Sequence, residues 1–152
     1  MEKKQQYQMN LSAPNLLNIC IDQTSYGEIS GRMFHCYSEK PIIFGNVVEL
    51  IKNAEDFFDD ISFPQASTKS RTFLNKEEQK PHKTLKKVME QADVVQEKGL
   101  LGTFITIVKF RQNSTWQGEL LWVENDEKGY FTNSLDFVKL VDNALSQCLT
   151  TE

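Results

Sequence analysis

The sequence predicts an α+β fold: a two-layer domain in which one antiparallel sheet carries helices on one face, plus a connector helix. Three observations predict it. Short β-compatible segments come in groups, an amphipathic helix follows each group, and the second group repeats the first. The chain has 152 residues, 39% of them hydrophobic, which is enough for the core of one domain. We therefore expect residues 1–152 to form a single domain.

The first predicted repeat is a ββ(β)α unit that covers residues 19–61. A turn that contains Gly27 separates its first two strands. The predicted strands are Asn15–Asp22, Ile29–Tyr37 and the short Ile42–Phe44. The helix Asn46–Ile61 follows, with apolar residues at spacings of three and four and with Asn46 as its N-cap.

The second predicted repeat covers residues 103–148. A polar loop, Arg111–Thr115, separates its first two strands. The predicted elements are the strands Gly102–Phe110, Trp116–Glu124 and Tyr130–Phe131 and the helix Asn133–Cys148.

A single shift of 87 positions aligns the two repeats without a gap from the second strand to the helix. It places Gly31 on Gly118, Phe44 on Phe131 and Asn46 on Asn133. Core positions and capping positions match together, which indicates a duplicated unit. The alternative is that two similar helices follow unrelated hairpins. Two copies sharing one sheet would bury both helical stripes and leave the other sheet face solvated or available to a partner.

The segment 62–102 is a basic connector between the repeats. Lysine and arginine predominate between Lys69 and Lys87, and the apolar spacing predicts a helix over Lys83–Lys98, with Gly99 beyond its end. This helix is expected either to pack on the core, which we favour, or to dock a partner.

The charge and composition exclude several classes of function. The net charge of −4 argues against nucleic acid as a partner, although the basic connector keeps nucleic-acid association as an alternative. No apolar run is long enough to cross a membrane, and the first residues do not resemble a secretory signal, so we expect a cytoplasmic protein. The three cysteines show no zinc spacing and are expected to be free thiols; no cofactor or metal is predicted.

Catalytic residues are not evident in the sequence. The two histidines, His35 and His82, lie far apart, and His35 and Cys36 are neighbours on one strand, so their side chains face opposite sides of the sheet. No nucleophile, phosphate-loop or metal motif is present. We therefore expect a non-enzymatic protein.

The predicted binding site is the loop that begins at Arg111. It places a cation, amides and hydroxyls beside a tryptophan, a combination that binds anions, nucleotides or proteins. The alternative is that these side chains complete a wide hairpin turn and that Trp116 covers the core edge. The predicted contacts are Arg111, Gln112, Asn113, Thr115, Trp116, Trp122, Tyr26 and Arg32.

Two motifs resemble known families. RQNSTWQG, the helix FTNSLDFVKLVDNAL and the connector stretch FPQASTKSRTF resemble small cytoplasmic bacterial proteins of uncharacterised function that share an RQNxxWQG-strand-helix pattern. This resemblance implies a self-standing domain but no activity or ligand. Asn113, Thr115 and Gly118 are similar to the second motif of PilZ domains, which bind cyclic di-GMP. The paired arginines of the first PilZ motif are missing, since the connector offers only Arg71.

These observations predict a small non-enzymatic binding or regulatory protein that acts through a protein partner. Substitution of Arg111 and Trp116 is then expected to weaken partner capture without lowering the melting temperature. One alternative is a sensor of a small molecule or nucleotide, bound in the groove between the copies. Homodimerisation through the outer sheet face is a further alternative.

Overall fold

The computed structural model of the chain describes residues 11–64, 86–111 and 115–150, and it confirms the α+β prediction. Its six strands form one antiparallel sheet in the order β3-β2-β1-β4-β5-β6. The strands are β1 (Leu17–Ser25), β2 (Glu28–Phe34), β3 (Ile42–Phe44), β4 (Gly102–Phe110), β5 (Gln117–Trp122) and β6 (Glu127–Phe131). The helices of the described residues are α1 (Val47–Ile61), α2 (Gln91–Val94) and α3 (Ser134–Thr150).

The first hairpin closes with a two-residue turn between Ser25 and Glu28, which face each other across the strands. Tyr26 and Gly27 have φ angles of 52° and 81°. Positive φ at both central positions defines the type I′ turn, whose twist matches that of the flanking strands. The predicted turn around Gly27 is therefore confirmed.

The two halves of the sheet have the same strand register. Gly31 lies opposite Ile21 on one side and Phe44 on the other. Gly118 lies opposite Val108 and Phe131 in the same way. Each residue of this second set follows its counterpart in the first set by 87 positions. A register irregularity follows Ile21 in one hairpin and Val108 in the other. A Cβ atom at either glycine would collide with a neighbouring strand carbonyl, which explains the glycines. Equal register is what a duplicated unit requires, although duplication itself stays a prediction.

Both long helices begin with the same cap. Asn46 accepts a hydrogen bond from the backbone N–H of Glu49 at 2.9 Å, and Asn133 accepts one from Asp136 at 2.8 Å. These bonds satisfy N–H groups that have no partner within the helix. The predicted N-cap at Asn46 is thus confirmed.

The main core lies between one sheet face and the helices α1 and α3. Every strand contributes to it, so both helices pack on one face, as predicted. Its buried residues are Leu17, Ile19, Ile21, Met33, Phe44, Leu50, Ala54, Phe57, Phe58, Phe104, Val108, Trp116, Leu120, Trp122, Phe131, Phe137, Val141, Ala144 and Leu145.

The predicted connector helix Lys83–Lys98 is wrong in its extent, because helix α2 spans only Gln91–Val94 within the described residues. Tertiary hydrogen bonds replace the helical ones. The N–H groups of Val88 and Met89 both donate to the carbonyl of Cys36. The side chain of Asn18 donates to the carbonyls of Val94 at 2.7 Å and Glu97 at 2.9 Å. In a longer helix, the carbonyl of Val94 would instead accept a hydrogen bond from a backbone N–H further along the chain.

This connector segment covers the centre of the second sheet face. Val94 is fully buried there, and Met89 and Val95 pack beside it. The predicted apolar side of the connector is met only in part, because Val88 and Ala92 are exposed. The expectation that this whole face is solvated or open to a partner is wrong for its central strands. The buried cluster consists of Ala13, Leu16, Cys20, Phe34, Cys36, Val94, Ile105 and Ile107.

Candidate functional site

Arg111, at the start of the predicted binding loop, is buried, with only 3% of its surface exposed. Its Nε donates to the carbonyl of Pro64 at 2.7 Å, and its Nη1 lies 3.0 Å from the Glu55 carboxylate and 2.8 Å from that of Asp59. The guanidinium also lies over the ring of Phe58. A cation at this position suits the C-terminal part of α1, where the helix dipole is negative. Arg111 therefore joins the loop to the end of α1.

Trp116 is buried as well, with 1% of its surface exposed. Its ring makes edge contacts with Phe58 and Phe137 at centroid distances of 5.7 and 5.6 Å, so it packs against both long helices. Its indole N–H donates to the carboxylate of Glu55. Trp116 and Arg111 therefore share Glu55 as a partner, and both take part in packing the fold.

Of the remaining predicted loop contacts, Thr115 bonds to the first turn of α3. The hydroxyl of Thr115 accepts a hydrogen bond from the backbone N–H of Ser134 at 2.9 Å, at the first residue of α3. Gln112 and Asn113 lie outside the described residues. Arg111 and Thr115 bond to Pro64, to α1 and to the start of α3, and within the described residues neither side chain is bonded to the backbone of the hairpin turn. A partner-binding role for the loop stays a prediction.

The other predicted contacts lie in separate places. Tyr26 is fully exposed at the tip of the first hairpin. Arg32 forms a salt bridge with Asp22 at 2.9 Å and donates to the carbonyl of Lys98, which links β2 to the connector. Since β1 and β4 are antiparallel neighbours, the two hairpin tips lie at opposite ends of the sheet. The structure therefore does not bring Tyr26 and Arg32 to the Arg111 loop.

A cavity of about 220 Å³ lies between the outer strands of the second half and the C-terminal part of α3. Among the predicted binding residues that the structure describes, Trp122 is the one that lines it. The lining is a mixture of aromatic, aliphatic, amide and charged residues. The lining residues are Phe104, Leu120, Trp122, Glu127, Lys128, Gly129, Leu140, Asn143, Ala144 and Gln147.

Two residues that line the cavity correspond in sequence to a stacked aromatic pair in the first half. The shift of 87 positions places Phe57 at the position of Ala144 and His35 at that of Trp122. In the first half, the rings of Phe57 and His35 stack with their centroids 4.0 Å apart. In the second half, Ala144 and Trp122 both line the cavity. The pairing of Phe57 with Ala144 in the aligned repeats is the sequence signal that could have indicated this site.

Trp122 lines the cavity, and its indole nitrogen is buried. Trp122 is 8% exposed, and its Nε1 has no hydrogen-bond acceptor among the described residues. Its counterpart His35 is satisfied differently, because its Nδ1 accepts the backbone N–H of Tyr37 at 3.1 Å. A buried donor without an acceptor is unfavourable by about 1–3 kcal/mol.

The charges around the cavity are unbalanced. The ammonium of Lys128 lies 2.9 Å from the buried carboxylate of Glu119 and over the ring of Tyr130. Glu119 and Tyr130 project from the sheet face opposite to the cavity, since Leu120 faces the core and neighbours on a strand alternate. The hydrogen bond to Glu119 raises the pKa of Lys128. The charged group of Lys128 is therefore directed away from the cavity, whereas Glu127 lines it and is exposed.

The buried thiols and the other chemical groups of the described residues form no further centre. Cys20 and Cys36 are free and buried, and burial raises the pKa of the Cys20 thiol to about 12, so it is a poor nucleophile. Within the described ranges, no three histidine, cysteine or acidic residues are arranged to hold a metal ion. Among the helices of the same ranges, none combines the length and the hydropathy needed to span a membrane.

Comparisons of the chain with protein-family models, with curated proteins and with solved structures gave no significant match. The resemblances in the sequence therefore stay predictions, and the functional argument depends on the geometry.

Proposed function

We propose that the protein is a non-enzymatic binding protein that holds a small molecule in the cavity between the sheet and α3. One observation carries the proposal: Trp122 and Ala144 line an open cavity in the second half, whereas the aligned residues of the first half, His35 and Phe57, stack against each other. Protein interiors are closely packed, and an apolar cavity that remains unfilled lowers stability. A ligand that occupies the cavity recovers these lost contacts.

This proposal takes up the sensor alternative from the sequence and changes its location. The ligand binds within the second half and not in the groove between the halves. In such a protein, ligand binding stabilises the folded state by mass action, which is the basis of a sensor or regulatory role. We further propose a cytoplasmic location, since free buried thiols suit a reducing compartment.

A protein partner is the second candidate function, favoured by the surface beside the cavity. Tyr130, on the edge strand β6, is 68% exposed, and Phe110 is also largely exposed on the same sheet face. This face is the one that the connector covers only at its centre. An edge strand with exposed aromatic residues can bind an extended segment of another protein.

The substitution Ala144→Phe tests the proposed function because it introduces, at a residue that lines the cavity, the phenylalanine that the first half has at position 57. We expect the variant to fold with an unchanged or higher melting temperature and to lose ligand binding. Ala144→Ser is the matched control, since it keeps the cavity open. Binding is measured with a library of small organic molecules by thermal shift and by NMR of the labelled protein.

Two outcomes contradict the proposal. The first is that no molecule of the library binds the unmodified protein. The second is that Ala144→Phe binds the same molecules as Ala144→Ser with equal affinity, which would place the binding site elsewhere.

A further inference from the structure

We infer that Tyr26 of a second copy of the chain occupies the cavity when it holds no small molecule, so that ligand binding and self-association exclude each other. This inference rests on the proposed function, because it assigns a competing occupant to the same cavity. Three observations support it: the strained and exposed position of Tyr26, the size of the cavity, and the location of both at one end of the sheet.

The backbone conformation of Tyr26 is one that disfavours a bulky side chain. Its φ angle is 52°, and among the described residues two other non-glycine residues, Ser62 and Asp126, have a positive φ. Each of these two ends a helix and donates its backbone N–H to a helical carbonyl. Tyr26 holds the first central position of a type I′ turn, where asparagine, aspartate or glycine causes less strain. Its side chain is fully exposed, so packing within the chain does not account for a tyrosine here. Such strain is typical of functional positions.

This turn is the tip of a ribbon that projects from the sheet. Strand β1 pairs with β4 as far as Ile21, and β2 pairs with β3 from Gly31 onwards. Beyond these residues, β1 and β2 continue to pair with each other up to Ser25 and Glu28. Four residues of a strand extend about 13 Å, so the tip stands clear of the sheet. Tyr26 is therefore accessible to a second molecule.

The cavity is large enough for the ring of Tyr26. Cavities of roughly 150 Å³ hold benzene, and this cavity measures about 220 Å³. Phe104 and Leu120 line it and offer apolar contacts to the ring. Glu127 and Asn143 also line it, and their side-chain oxygens can accept a hydrogen bond from the phenol hydroxyl. The ring would leave water, and its hydroxyl would keep a polar partner.

The ribbon and the cavity lie at the same end of the sheet. Strand β4 begins opposite the last residues of β1 that it pairs with, so the first hairpin projects at the end where β4 begins. Phe104, near the start of β4, pairs with Trp122, and Trp122 pairs with Glu127; all three line the cavity. Two chains that meet at this end around a two-fold axis can therefore make the Tyr26 contact twice.

Competition for the cavity links the ligand to the assembly of the protein. A small molecule in the cavity removes the space for the ring, and the inserted ring removes the space for the molecule. Each therefore lowers the affinity of the other by the same factor. Two inserted rings bury less than the roughly 1,600 Å² of a standard interface, so we expect a dissociation constant in the micromolar to millimolar range.

The test measures the molar mass of the full chain by analytical ultracentrifugation at protein concentrations up to about 1 mM. We expect the unmodified protein to dimerise and Tyr26→Asn to raise the dissociation constant at least about a hundredfold, since each of two rings contributes about a factor of ten. Asparagine suits the turn, so the melting temperature of Tyr26→Asn should be unchanged or higher. Tyr26→Phe is the matched control, which keeps the ring and should dimerise with an intermediate dissociation constant.

A mixture of two variants tests the contact itself. Ala144→Phe keeps Tyr26 but fills the cavity, whereas Tyr26→Asn keeps the cavity but lacks the ring. Neither should dimerise alone, and the mixture should form a heterodimer held by one ring. The methyl signal of Ala144 in ¹³C-labelled Tyr26→Asn should shift when unlabelled Ala144→Phe is added. Ala144→Ser, which keeps the cavity open, should dimerise like the unmodified protein.

The outcomes separate this inference from the proposed function. If the unmodified protein is monomeric at about 1 mM, or if Tyr26→Asn dimerises equally well, the inference is wrong while the cavity still serves as a ligand site. A compound that binds in the cavity without dissociating the dimer also overturns it. If no compound binds either the unmodified protein or Tyr26→Asn, whose cavity has no competing ring, the proposed function fails. The mixture then still decides whether Tyr26 enters the cavity.

Discussion

The first half of the molecule, residues 17–61, and the second half, residues 102–150, share strand register and helix caps but differ in how they fill the same positions. Phe57 and His35 stack in one half, whereas Ala144 and Trp122 leave a cavity in the other. The close strand contact at Gly31 and Gly118 and the helix caps at Asn46 and Asn133 are the same in both halves. The interior side chains are free to differ, and this difference produces the candidate site.

The cross-strand ion pairs show the same freedom. In the first half, Asp22 on β1 pairs with Arg32 on β2 at 2.9 Å. In the second half, the equivalent positions carry Lys109 and Glu119, which pair at 3.4 Å with the charges exchanged. Both bulged hairpins therefore carry an ion pair at this place, with opposite polarity.

The largest expected effect concerns the ring that fills the first half. Phe57→Ala creates in the first half the same opening that the second half has, and it should lower the free energy of unfolding by about 3–5 kcal/mol. Urea denaturation measures this change. A loss below about 1 kcal/mol would show that the Phe57 ring is not tightly packed, and it would weaken the comparison of the two halves.

The double variant Phe57→Ala/Ala144→Phe should move the cavity, and with it ligand binding, to the first half.

A second prediction concerns pH. Burial lowers the pKa of His35 to about 4, partly opposed by Asp60, whereas histidine in the unfolded chain titrates near 6.5. Between pH 4 and pH 6.5, His35 is therefore protonated in the unfolded chain but neutral in the folded protein. The free energy of unfolding should fall as the pH decreases from 6.5 towards 4, by about 3 kcal/mol over the interval.

The control for this pH dependence is His35→Phe, which keeps a ring beside Phe57 but does not titrate. Urea denaturation at several pH values should show a shallower slope for the variant than for the unmodified protein. Equal slopes would mean that other groups cause the dependence. In the second half, Trp122 occupies the equivalent position and does not titrate, so it adds nothing to the pH dependence of stability.

A third prediction concerns the loop of the second half. Arg111→Leu removes charged hydrogen bonds to Glu55 and Asp59, and it should lower the free energy of unfolding by about 1–3 kcal/mol. Asp59 is largely exposed and regains water, which limits the loss. The sequence alone predicts no change in melting temperature, and the burial of Arg111 reverses that expectation. Thermal denaturation of Arg111→Leu beside Arg111→Lys measures it, and an unchanged melting temperature would support the original binding interpretation.

The smallest expected effect distinguishes the two ion pairs. Asp22→Asn removes a partly exposed pair and should lower stability by less than about 1 kcal/mol. Glu119→Gln should have a larger effect, because Glu119 is buried between Lys109 and Lys128. Urea denaturation of both variants gives the order. The opposite order would indicate that the first pair, through Arg32 and the connector, matters more to the fold.

The sequence was sufficient for the strands, the long helices and their caps because these depend on local periodicity and nearby hydrogen bonds. It was insufficient for the connector, since the end of α2 depends on Asn18, which is distant in the chain. The burial of Arg111 and Trp116 also depends on a distant element, the end of α1. The cavity follows from a missing ring at Ala144, and no local pattern marks an empty space.

The seam between β1 and β4 has a consequence for assembly. Its pairs Leu17–Thr106 and Ile19–Phe104 are related by the shift of 87 positions, so the seam is symmetric about the pair Asn18–Ile105. Strand β1 of one chain can therefore pair with β4 of a second chain in the same register. The fold thus permits a domain-swapped dimer that needs no new contacts along its seam.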